Sequence, residues 1–109
     1  MIDTPDPRGL AGFYQELLGF VRVQDDHDWV VIGDAADRPG LAFQLAPDLR
    51  PPGWPDAGPP QQMHLDIAVD NIDQAEQHAL SLGAVRLPGG GERFRVYKDP
   101  SGHPFCLCL

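Results

Sequence analysis

The stretch Asp6-Pro7-Arg8-Gly9-Leu10-Ala11-Gly12-Phe13-Tyr14-Gln15-Glu16-Leu17-Leu18-Gly19-Phe20-Val21 decides the fold, because a second stretch, Asp70 to Leu87, repeats its grammar. With Asp70 set against Asp6, an offset of 64, Ala75 meets Ala11, Leu82-Gly83 meets Leu18-Gly19 and Val85 meets Val21. Each copy reads as an acidic turn, a helix, a Leu-Gly stop and a strand. Shared order and shared meaning point to an internal duplication. In the first copy Asp6 is placed to cap the helix. Pro7 suits the first helical position, where its missing N–H has no partner to lose. Leu10, Phe13, Tyr14, Leu17 and Leu18 form an apolar stripe at helical spacing. Gly19 supplies the left-handed residue that ends the helix. The second helix starts near Asn71, turns Ile72, Ala75, Ala79 and Leu82 inward and stops at Gly83, with Asp73, Gln74, Glu76 and Gln77 on its polar face.

Working outward, each helix is followed by three strand candidates: Val21–Gln24, Trp29–Ile32 and Leu41–Leu45, then Ala84–Leu87, Phe94–Lys98 and Pro104–Leu109. Met63–Val69 precedes the second helix as a strand, and Met1–Thr4 is its counterpart before the first. The pattern predicts one α+β domain over residues 1–109, built as two βαβββ modules: module one at about 1–46, a proline-rich linker at 47–60, and module two at about 61–109. Gly89-Gly90-Gly91 reads as a hairpin tip, since no strand-to-helix junction follows it.

Composition narrows the function classes. In 109 residues, 16 Asp+Glu against 8 Lys+Arg give a net charge of −8. Such a surface repels phosphate backbones and anionic lipid, so neither nucleic acid nor membrane is expected as a partner. No apolar run approaches the ~20 residues that cross a bilayer, and the first residues lack the basic and apolar regions of a signal peptide. Cys106 and Cys108 close no useful loop, so a reducing cytoplasm is the expected compartment.

Strand alternation sorts the candidate site residues. Leu65, Ile67 and Val69 share one face and His64, Asp66 and Ala68 the other. Phe105, Leu107 and Leu109 oppose Pro104, Cys106 and Cys108, and Leu41, Phe43 and Leu45 oppose Ala42, Gln44 and Ala46. The apolar faces belong under the helices. The remaining faces are expected to line a concave surface holding His64, Asp66, Gln44, Cys106 and Cys108. Trp29, Trp54 and Tyr97 are candidates for stacking against a ligand there. Arg93 and Arg95 share a strand face by alternation and suit either an anionic ligand or a solvated edge. His103 belongs to the Asp99–Gly102 turn and bonds locally.

These residues carry a family resemblance. Asp6-Pro7…Leu10-Ala11…Phe13-Tyr14…Leu17-Leu18-Gly19 resembles the opening of the glyoxalase/bleomycin-resistance/dioxygenase group, the vicinal oxygen chelate superfamily. Met63-His64-Leu65-Asp66…Val69-Asp70 resembles the start of its second module, and Asp99-Pro100-Ser101-Gly102-His103-Pro104-Phe105-Cys106-Leu107 its closing strand. Trp54-Pro55-Asp56…Gln61-Gln62…His64-Leu65-Asp66 is similar to the glyoxalase-like domain proteins of high-GC actinobacteria. The resemblance implies that the two modules form a curled mixed sheet around a shared cavity, here with a truncated first strand, that the chain is a homodimer and, in the metalloenzymes of the superfamily, that metal ligands come from the first and last strand of each module. Carried over by residue, His64 matches one such position, while Gln44 and Cys106 stand where glutamates would be. The counterpart of His64 at the offset of 64 falls one residue before Met1. A hard divalent ion is poorly served by an amide, a thiol and an imidazole. His64, Cys106 and Cys108 with Asp66 suit a softer ion such as zinc better, though not in the family's geometry.

The expectation is a small-molecule-binding protein without a catalytic metal or other cofactor; were a divalent metal present, His64, Gln44 and Cys106 would hold it. The alternative is a metal-dependent lyase, epimerase or dioxygenase. A third reading is an accessory domain for a protein partner. No residue is assigned a catalytic role.

Overall fold

The computed structural model describes residues 1–50 and 63–109. The chain divides into two compact units, Met1–Leu49 and Arg50–Leu109. The first runs β1 (Ile2–Thr4), α1 (Pro7–Leu18), β2 (Val21–Asp26), β3 (Trp29–Ala35) and β4 (Arg38–Leu45). The second runs β5 (Leu65–Ala68), α2 (Ile72–Ser81), β6 (Val85–Arg86), β7 (Phe94–Lys98) and β8 (Pro104–Cys108). Each is a βαβββ module with a four-stranded mixed sheet, ordered β1-β4-β3-β2 and β5-β8-β7-β6. The first strand of each module lies parallel to its last, and the other neighbours are antiparallel. This is the α+β architecture the repeat predicts, with a first strand of three residues and two open sheets rather than one closed barrel.

The helix ends form for the reasons read in the sequence. The Asp6 carboxylate accepts from the Gly9 amide at 3.1 Å, and Pro7 opens α1. Gly19, at φ 71° and ψ 28°, turns the chain out of the helix in the left-handed region that a Cβ would disfavour. Asn71 caps α2 in the same way, accepting from the Gln74 amide at 3.0 Å.

The two modules hold their helices differently. Under α1, Leu10, Ala11, Phe13 and Tyr14 are buried against Ile2, Val30, Ile32 and Phe43. Tyr14 stacks on Phe43 at 5.8 Å and meets the edge of Phe13 at 4.9 Å. Under α2 only Ala79 of the helix is fully buried; Ile72, Ala75 and Leu82 are half-buried. The thin apolar stripe is supplemented by ion pairs from a face that the sequence marks as polar. Glu76 accepts from Arg86 at 2.7 Å, from Arg95 at 3.2 Å and from the Tyr97 hydroxyl at 2.9 Å. Arg95 also donates to Asp73 at 2.7 Å.

Three strands run longer than alternation suggests: β2 by two residues and β3 and β4 by three each. Register shifts lie between Ile32 and Gly33 and between Gly33 and Ala35, and these let β3 and β4 continue toward their turn. The bulge interrupts the period-two pattern by which a strand end is recognised.

Candidate functional site

The face of the second sheet away from α2 carries a wide-open groove of about 660 Å³, lined by His64, Asp66, Arg93, Phe94, Val96, Cys106 and Cys108, with Gly89, Gly90 and Leu109 at its ends. The ladder explains this set. Asp66 lies opposite Cys106, Cys106 opposite Val96, and Cys108 opposite Phe94, so all of them project from one side. Gly90 (φ 102°) makes the turn that closes the end; a Cβ there would stand 2.8 Å from the Phe94 carbonyl oxygen.

Asp66 organises the polar part. Its Oδ1 is 3.5 Å from His64 Nε2, and both side chains open to solvent. Burial, the Asp66 charge and neighbouring Cys108 push the Cys106 thiol up from 9.0 to about 11. Burial and Asp66 push Cys108 up as well. At neutral pH both are thiols, which are weak nucleophiles and weak ligands. The groove therefore offers an imidazole, a carboxylate and a guanidinium beside an apolar floor, with no activated nucleophile.

The metal-ligand set implied by the family resemblance fits poorly. Among the described residues no three His, Cys, Asp or Glu side chains gather to hold a metal ion. The thiol at the glutamate position keeps its proton, and a hard divalent cation prefers carboxylate oxygen. The ladders also refine the internal repeat. The N-caps Asp6 and Asn71 are 65 residues apart, one more than the Leu-Gly stops. Ile2, buried under α1, then corresponds to Ile67, and Met1 to Asp66. Because Asp3 pairs with Gln44 and Ala68 with Cys108, Gln44 corresponds to Cys108, and Ala42 to Cys106.

The other expected contacts fall as follows. Trp29 and Gln44 face each other across β3 and β4 on the open side of the first sheet. Trp54 lies outside the described residues. Tyr97 is a correction: it is fully buried on the α2 side of its sheet, stacked on Phe105 at 5.4 Å with its hydroxyl on Glu76, and so faces away from the groove. Arg95 shares that side and is bound to Glu76 and Asp73, whereas Arg93 lines the groove. The two arginines part because Arg93 precedes β7, beyond the reach of strict alternation. His103 is buried in its turn, its amide donating to Asp99 Oδ1 at 3.0 Å and its carbonyl accepting from the Asp99 amide at 2.8 Å. Phe94 and Val96 are groove residues that the sequence reading passed over. Their signal was the alternation of β7 taken together with the partner strand bearing Cys106.

Comparison with known proteins agrees with this architecture. A model of the glyoxalase-like domain family matches residues 1–108. No curated protein matches the sequence. Among solved structures, a glyoxalase/bleomycin resistance protein/dioxygenase family enzyme from Burkholderia phytofirmans PsJN is similar at 20% identity and TM-score 0.71, over 97% of this chain and 91% of that one. The fosfomycin resistance protein FosX from Listeria monocytogenes is similar at 13% identity and TM-score 0.72, over 98% and 86%. A bleomycin-binding protein solved in complex with bleomycin is similar at 20% identity and TM-score 0.60, over 99% and 92%.

Proposed function

The chain belongs to the glyoxalase-like domain family, and from that premise we propose that it binds a small, partly apolar organic molecule without using a catalytic metal. The observation that carries this reading is the groove on the second sheet. Its volume of about 660 Å³ suits a small ligand, and Phe94, Val96 and Leu109 offer apolar surface beside His64, Asp66 and Arg93. The Cys106 thiol, pushed up to about 11, fills space rather than attacking a substrate. Fosfomycin resistance and bleomycin binding among the similar structures support a role toward organic compounds. In this reading the chain is a single domain, cytoplasmic and homodimeric.

Two measurements test it. Protein purified without a polyhistidine tag is expected to carry substoichiometric metal; one tightly held divalent ion per chain overturns the metal-free reading. A thermal-shift screen of small organic compounds is expected to yield a ligand that stabilises the chain by about 2.7 kcal/mol at a hundredfold excess over its Kd. Cys108→Phe, which fills the groove, should abolish that shift. A screen without hits, or a shift that survives Cys108→Phe, overturns the groove as the binding site.

A further inference from the structure

The two arginines at β7 meet opposite fates. Arg95 is engaged on the α2 side, where it holds Asp73 at 2.7 Å and Glu76 at 3.2 Å. Arg93 lines the groove, and among the described residues its side chain has no hydrogen-bond or ion-pair partner. That sets it apart from Arg8, Arg22, Arg38 and Arg86, each of which holds a carboxylate within 3.6 Å. With 16 Asp+Glu against 8 Lys+Arg, carboxylates are plentiful in this chain, yet none of the described ones reaches Arg93.

Asp66 shares the groove but stands at its other end, 3.5 Å from His64. It lies in the ladder row of Cys106 and Val96, whereas Phe94 lies in the row of Cys108. Two residues along a strand span about 6.6 Å, and Arg93 is one residue further on. The groove is therefore polarised, acidic at the β5 end and basic at the start of β7. The surroundings of Arg93 are apolar. The Leu109 amide donates to the Arg93 carbonyl at 2.8 Å, and Phe94 follows Arg93 directly. Phe94 is 41% exposed and Leu109 45%, although Phe43 and Phe105 are fully buried. A bare phenyl ring and a bare leucyl side chain beside a free guanidinium offer a planar fork for two oxygens and apolar surface for the body that carries them.

We propose that the groove selects an organic carboxylate with an aromatic body, and that Arg93 is its specificity determinant. The carboxylate oxygens accept from the Arg93 guanidinium, and the ring lies against Phe94 and Leu109. The inference rests on the small-molecule reading above and names the charge class which that reading leaves open.

The test uses the full ¹⁵N-labelled chain, with phenylacetate as probe and phenylacetamide as its neutral counterpart. Phenylacetate is expected to shift the backbone amides of Phe94, Cys108 and Leu109 saturably, with phenylacetamide at least about tenfold weaker. Arg93→Gln should weaken phenylacetate about tenfold and leave phenylacetamide unchanged. It should move Tm by no more than about a degree, because the free side chain holds nothing. Arg93→Lys, which keeps the charge but not the fork, should recover part of the loss. Equal affinity for the two probes, phenylacetate binding indifferent to Arg93→Gln, or phenylacetate that moves none of these amides overturns the proposal. In each of those cases a neutral compound that moves the same amides leaves the groove reading standing. Amides that no compound of either charge class moves, or phenylacetate binding that survives Cys108→Phe, overturn the groove reading as well.

Discussion

Asp66 and Tyr97 show how one side chain sets the chemistry around it. The Asp66 charge opposes ionisation of the Cys106 thiol, so Asp66→Asn should lower that pKa from about 11 and speed alkylation of Cys106 by iodoacetamide at pH 8. An unchanged rate would mean that burial alone holds the proton. The raised values also predict a pH dependence of stability. Cys106 rises from 9.0 to about 11 and Tyr97 from 10.0 to about 12, the latter chiefly through burial and its bond to Glu76. Folding favours the protonated form of both groups. Their contribution is complete below pH 9 for Cys106 and below pH 10 for Tyr97, and is lost as pH rises through the folded values. Denaturant titrations from pH 8 upward should show stability falling above pH 9, with Tyr97→Phe removing the part above pH 10. At neutral pH Tyr97→Phe should cost about 1 kcal/mol, since Glu76 keeps both arginines. Ligand binding in the groove should be unaffected, because the ring lies on the other side of the sheet.

At the scale of elements, glycine positions separate freedom from necessity. Gly12 sits inside α1 with open space where a Cβ would go, so Gly12→Ala should raise stability by about 0.5–1 kcal/mol. Gly90→Ala should lower it by more than about 1 kcal/mol, because the turn needs positive φ and the methyl meets the Phe94 carbonyl. Thermal melts of the two variants check both signs. The helices were legible because their signals are local: Asp6, Pro7 and Gly19 each act within a few residues. The apolar and polar faces of β5, β8 and β4 were legible for the same reason, through strict alternation. Which face of β7 meets the groove was not, because that depends on its pairing with β8; Tyr97 was misplaced and Phe94 missed on this account. The role of Glu76 was hidden for a related reason, since its partners Arg86, Arg95 and Tyr97 are remote in sequence.

For the whole molecule, duplication and charge are the governing facts. The βαβββ repeat was visible in the sequence at one-residue accuracy, and the shared element and strand order of the two units agrees with it. A net charge of −8 should hold anionic compounds off the groove at a distance. Raising ionic strength from 0.01 to 0.15 M shortens the screening length from about 30 to about 8 Å, so titration calorimetry should find an anionic groove ligand binding more tightly and a neutral one unchanged. The parallel ladders impose a further order on the chain, in time. Ile2 pairs with Phe43 and Leu65 with Phe105, so each module's first strand docks only after its last has been made. At about 5–20 residues per second on the ribosome, each opening strand waits on the order of 2–8 s for its partner. Over that interval Ile2, and later Leu65 and Ile67, are exposed to the translating cell, and it is then that a chaperone would meet this protein.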